Sequence, residues 1–169
     1  ALSFFPKNDL SDCQACAKLL VERGDTDQFE QALKRFSHVT NDLNSDQVTK
    51  PYKEKLNQLR NIKSLCPLQD AYCNVCSFFS KNDLRDPQAC AKLLVDQRDI
   101  ERFREAHARF QSAMNNLPSD AAREPYKDDL ELLHHIEKLT LRRHAVSFFT
   151  DIDLTDHKTC IRHLKDRYC

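Results

Sequence analysis

Glycine is almost missing from this chain: Gly24 is the only one, beside a single methionine and no tryptophan. Glycine-rich phosphate loops, dinucleotide-binding turns and most tight hairpins need several residues at positive φ, so all three are excluded. An excess of charge is missing too. The 26 Lys+Arg residues balance 26 Asp+Glu over 169 residues. No whole-protein field then draws nucleic acid or an anionic membrane, and neither is an expected partner. Mean hydropathy is −0.67, and no apolar run approaches the roughly 18 residues of a spanning helix. There is no Asn-x-Ser/Thr sequon, no Gly-x-Ser-x-Gly elbow, no His-Glu-x-x-His helix and no Asp-rich calcium loop. The paired acids Asp128-Asp129 and Asp151/Asp153 sit among bases and read as solvated faces. No cofactor, metal or catalytic residue is expected.

Cysteine is what the chain has in plenty. The eight are Cys13, Cys16, Cys66, Cys73, Cys76, Cys90, Cys160 and Cys169. An even number in a small, polar, tryptophan-free protein fits four disulfides in an oxidising compartment. Cys13-x2-Cys16 and Cys73-x2-Cys76 also have zinc-ligand spacing. However, the glycines that usually turn backbone amides toward metal-bound thiolates are absent around both pairs, and four cysteines would be left over. The chain opens at Ala1-Leu2-Ser3 without an initiator methionine, and the expectation is a mature product after leader removal.

The strongest pattern is self-similarity. Ser3-Phe4-Phe5-Pro6-Lys7-Asn8-Asp9-Leu10 recurs as Ser77-Phe78-Phe79-Ser80-Lys81-Asn82-Asp83-Leu84, an offset of 74. The same offset carries Gln14-Ala15-Cys16-Ala17-Lys18-Leu19-Leu20-Val21 onto Gln88-Ala89-Cys90-Ala91-Lys92-Leu93-Leu94-Val95. It continues through Phe29/Phe103, Phe36/Phe110, Leu43/Leu117, Pro51/Pro125 and Ile62/Ile136. A shortened third copy starts at Ser147-Phe148-Phe149 and keeps Asp153-Leu154, Asp156 and Cys160. The expected divisions are 1–76 and 77–146 as two helical units, and 147–169 as a partial third that packs on the second.

Within each copy the period is helical. Asp12, Asp86 and Asp156 stand at the N-cap position, Pro87 follows at the first helical residue, and Gly24 ends the first helix. A second stripe holds Phe29, Leu33, Phe36 and Leu43. A third holds Tyr52, Leu56, Leu59, Ile62 and Leu65, with Pro51 and Pro125 marking its first turn or a kink. No segment alternates with period two, so the fold class is all-α: tandem duplicated helical units plus a truncated third, disulfide-linked. The Ser-Phe-Phe rings are expected to plug the core.

Cys16, Cys90 and Cys160 are equivalent in the repeat, whereas Cys13 corresponds to Pro87 and His157. Cys66 and Cys73 fall in what reads as a linker insertion. The simplest pairing joins Cys16 with Cys66, Cys13 with Cys73, Cys76 with Cys90 and Cys160 with Cys169. Eight cysteines allow about 105 connectivities, and this is one of them. The histidines His107, His134, His135, His144, His157 and His163 crowd the second half and read as surface residues. The basic cluster Arg98, Arg102, Arg104 and Arg109 is diluted by Asp99, Glu101 and Glu105. Arg142-Arg143 reads as a solvated linker that could meet a heparan-type glycan or an acidic receptor patch.

An opening Cys-x-x-Cys clamped to a closing pair over Cys13–Cys76 resembles the saposin-like lipid-interacting proteins. The middle cysteine pair of that family is absent and the helices here are far more charged. Insect odorant-binding proteins carry a Cys-x3-Cys step that this chain lacks. By size, cysteine density, helical repeats and missing enzyme motifs, the chain resembles the small secreted cysteine-rich helical proteins of arthropod saliva, of the mosquito neutrophil-recruiting type. That resemblance implies an extracellular, monomeric, non-enzymatic effector that binds a host protein or cell-surface receptor and modulates leukocytes or haemostasis. The alternatives are a saposin-like carrier of lipid or another small hydrophobic ligand, and an intracellular zinc-binding helical repeat.

Overall fold

The computed structural model describes residues 2–5, 10–41, 46–79, 84–117 and 119–147, with Asp156, Lys158, Thr159, Ile161 and Arg162. Every regular element among them is helical. The α-helices are α1 (Cys13–Arg23), α2 (Thr26–Asn41), α3 (Asp46–Cys76), α4 (Pro87–Gln97), α5 (Ile100–Asn115), α6 (Asp120–Arg123) and α7 (Lys127–Ser147). Short 3-10 turns cover Leu2–Phe4, Ser77–Phe79 and Glu124–Tyr126. Most of the shortened third copy, with Phe148, Phe149, Cys160, Cys169, His157 and His163, lies outside the described residues.

The offset of 74 in the sequence also relates the bounds of α1 to α4 and of α2 to α5. The local causes match. Asp12 Oδ1 accepts from the Ala15 amide at 2.9 Å and Asp86 Oδ1 from the Ala89 amide at 3.0 Å. Each cap of this kind is worth about 1 kcal/mol. Both helices stop at a left-handed residue, Gly24 at φ 69° and Arg98 at φ 58°. There the next two amides return to the last-turn carbonyls: Gly24 and Asp25 bond Val21 and Leu20, and Arg98 and Asp99 bond Val95 and Leu94.

The residues form two compact units, 1–77 with 106–124 and 78–105 with 125–169. Residues 106–124, which the repeat places in the second copy, therefore cluster with the first unit. In that unit α3 packs along both α1 and α2. Its core holds Cys16, Leu20, Phe29, Leu59, Ile62 and Leu68, all buried. Phe4 and Phe5 meet Phe29 edge-on at centroid distances of 5.7 and 5.5 Å. In the second unit α4 packs on α7, and Phe78 and Phe79 meet Phe103 edge-on at 5.8 and 5.4 Å. A fully buried Phe contributes roughly 1.5–3 kcal/mol, so the buried rings of Phe29 and Phe103 hold the Ser-Phe-Phe segments against α2 and α5.

Two sequence expectations are corrected here. The segment Cys66–Cys73 is not a linker: α3 runs unbroken through it, across both Pro51 and Pro67. An interior proline costs a helix about 3 kcal/mol. The buried stripe of Leu56, Leu59, Ile62, Leu65, Leu68 and Val75 spans Pro67 on both sides and offsets that cost. The equivalent of Pro51, Pro125, instead sits in the 3-10 turn that precedes α7. Arg142-Arg143 is not a linker either; it lies exposed in the last turns of α7.

Candidate functional site

Clefts in the described residues of the first unit include three of similar size. One, of about 420 Å³, lies at the start of α1 and is lined by Ser11, Asp12, Cys13, Gln14, Asn61 and Ser64, with Ser119 and Ala122 opposite. A second, about 400 Å³, is lined by Asp27, Phe29, Glu30, Lys63, Cys66 and Asp70. The third, about 480 Å³, runs between α3 and α5 and includes Asp70, Asn74, Arg109 and Asn116. No histidine lines any of the three.

Among the described residues the cysteine sulfurs are present as thiols, with no disulfide formed. Cys13 opens α1, half-buried, and its thiol faces the Leu10 carbonyl at 3.4 Å and the Gln58 carbonyl of α3 at 3.9 Å. Burial, and then the neighbouring Asp12 carboxylate, push this thiol above its ordinary pKa, against a small opposing effect of its own backbone. Cys73 stands 15 residues beyond Gln58 on the same helix, about 22 Å at 1.5 Å per residue. A disulfide needs Cα atoms within about 7 Å, so the fold does not bring Cys13 to Cys73. Cys16 and Cys66 are both buried in helices that pack together. Burial raises the Cys66 thiol to about 11. Cys73 accepts from the Gln69 side-chain amide at 3.4 Å.

Sequence reasoning missed His107. It is 2% exposed, whereas the histidines were expected at the surface. It occupies the slot of Leu33 one repeat earlier, and that apolar register was the available signal. His134 is half-buried and His135 exposed.

Two members of the basic cluster, Arg102 and Arg104, pair with neighbouring acids. Arg102 pairs with Asp99 at 2.8 Å and its guanidinium lies 5.9 Å over the Phe78 ring. Arg104 bonds Glu137 at 3.3 Å and Glu101 at 3.2 Å, and these partners raise its pKa. The equivalent positions in the first unit hold the opposite signs: Glu30 meets Lys63 at 2.7 Å. Hydrogen bonds from Lys63 and then Lys34 hold the Glu30 carboxyl below its usual range. Asp128 and Asp129 fall in the first turn of α7, where the helix dipole favours them. Asp156 accepts from the Thr159 hydroxyl and the Thr159 and Lys158 amides, which lowers its pKa and repeats the capping role of Asp12 and Asp86.

At the far end of α7, Leu141 and Val146 are 41% and 51% exposed and flank the exposed Arg142 and Arg143. This is a mixed apolar and basic surface. No helix among the described residues is long and apolar enough to cross a membrane. The geometry defines an all-α helical protein; no protein-family model, curated protein or solved structure matches the chain.

Proposed function

We propose that this is a secreted, non-enzymatic binding protein, a duplicated and disulfide-linked helical scaffold whose outer surface contacts a host protein or cell-surface receptor. The observation that carries the reading is the end of α7, where Leu141 and Val146 stand in solvent beside Arg142 and Arg143. Exposed apolar side chains next to arginine are a composition that protein-binding surfaces favour. The duplication is supported by the shared helix bounds, the paired aromatic triads and the sign-reversed ion pairs at equivalent positions. Secretion and disulfide linkage rest on the cysteine content and the oxidising compartment it fits.

Capture from plasma and leukocyte surfaces, followed by identification of bound protein, tests the reading. The intact chain should retain a specific partner, and Leu141→Glu with Arg142→Glu should lose it while helicity stays unchanged. A heparin column eluted with salt tests a glycan contact at Arg142 and Arg143. Turnover of a common hydrolase substrate, or retention of the partner by the double variant, would overturn the proposal.

A further inference from the structure

Cys13 and Cys16 are one turn apart at the start of α1, within the polar cleft described above. They differ in access: Cys13 is half-buried at the cleft wall and Cys16 is 0% exposed. The pair belongs to the first copy alone, since Pro87 and His157 replace Cys13 in the others. Its position also separates it from the Cys73/Cys76 pair, where the Cys73 sulfur is held by Gln69 within the body of α3.

We propose that Cys13 and Cys16 form a reversible dithiol–disulfide site that exchanges with a small external disulfide of the glutathione class entering this cleft. Cys13 is the entry thiol because it is the member that reaches the cleft. Cys16, buried behind it, is the resolving thiol. In the first step the Cys13 thiolate attacks one sulfur of the external disulfide, forming a mixed disulfide and releasing one thiolate. The Cys16 thiolate then attacks the Cys13 sulfur, closes the Cys13–Cys16 bond and releases the second thiolate. The two protein thiols give up two protons and two electrons, and the external disulfide is reduced to two thiols.

Side chains at i and i+3 on a helix have Cβ atoms about 5–6 Å apart, and a disulfide wants about 3.8 Å. The first residue of a helix can supply that closure, because its amide makes no intrahelical bond and leaves the backbone room to turn. The chief expense is the hydrogen-bonded cap, in which Asp12 holds the Ala15 amide and its carbonyl holds the Cys16 amide. Asp12 also slows the exchange. Among the described residues it is the only charged one that lines the cleft; Asn61 and Ser64 of α3, Ser119 and Ala122 are neutral. Burial first, and then its carboxylate, disfavour the Cys13 thiolate, so exchange should be slow at neutral pH and quicken toward alkaline pH. Asp12 is a positioning residue here, since it touches neither reacting partner.

The test incubates the full chain in oxidised and reduced glutathione mixtures, quenches with acid and maps the unreduced tryptic peptides. Residues 8–18 form one tryptic peptide with both cysteines. Under oxidising mixtures it should lose two hydrogens, and reduction should restore them. In Cys16→Ser a single glutathione should persist on Cys13. Asp12→Asn keeps a good cap while removing the charge, and should speed Cys13 labelling several-fold at pH 7.5. A peptide that stays as two thiols under every mixture, or joins another cysteine peptide, overturns the proposal. So does a glutathione adduct in Cys16→Ser that settles on a different cysteine.

Discussion

Gly24 and Arg98 perform one task with unequal ease. Each ends its helix in the left-handed region, but an arginine there brings its Cβ close to a carbonyl oxygen, at roughly 1 kcal/mol, and glycine does not. A Cβ on Gly24 would meet nothing within 4 Å, so its replacement is penalised through backbone conformation alone. Arg98→Gly should therefore raise the urea midpoint by the equivalent of about 1 kcal/mol, and Gly24→Ala should lower it by a similar amount. Cys66 supplies a pH signature of the same scale. Its folded pKa, about 11, lies above the ordinary 9.0. The unfolded chain then loses this proton first as pH rises. The associated stability is complete below pH 9 and drains away between about 9 and 11. Urea midpoints of the reduced protein should fall across that window, and Cys66→Ala should flatten the fall. An unchanged slope in the variant would assign it to another group.

Between helices, the ion pairs tie the second helix of each copy to its third. Glu30–Lys63 and Arg104–Glu137 occupy corresponding positions with signs reversed. Such exposed pairs add little stability, but they make each contact selective, since like charges across it repel. Glu30→Lys should lower the melting temperature slightly, more so in low salt, because Lys63 and Lys34 then face a third cation. Glu30→Lys with Lys63→Glu should recover much of the loss. The Glu30 carboxyl also titrates below its ordinary range, so its favourable contribution is present above the unfolded pKa and is lost as pH falls through the folded one. A double variant as unstable as the single would show that the pair does not act through charge. The elements themselves were legible from periodicity and caps, because Asp12, Asp86 and Pro87 act within one turn of where they stand. The continuity of α3 was not legible. Pro51 reads locally as a first turn or kink and Cys66–Cys73 as a linker, whereas the buried stripe from Leu56 to Val75, which spans Pro67, carries the helix through that segment.

For the whole molecule, the balanced charge and the cysteine content remain the main guides to where it works. A secreted, disulfide-linked form should gain about two hydrogens per bridge on reduction, read by intact mass of protein from an oxidising expression host. Absence of any gain would remove the disulfide-linked reading. The Cys13–Cys16 exchange site would survive that result, because its cross-link is sought under imposed glutathione mixtures.

The sequence by itself determined the helical class, the matching bounds of α1 with α4 and α2 with α5, the caps and the aromatic anchors, since all of these depend on near neighbours and on the 3.6-residue period. Tertiary structure alone decided that Cys13 lies beside Gln58 and far from Cys73, that His107 is buried, and that residues 106–124 cluster with the first unit. Those outcomes depend on which faces meet across helices. A contact between residues 45 apart, such as Cys13 with Gln58, leaves no periodic trace in the chain, so a linear reading of cysteine order could not see that Cys13 lies far from Cys73.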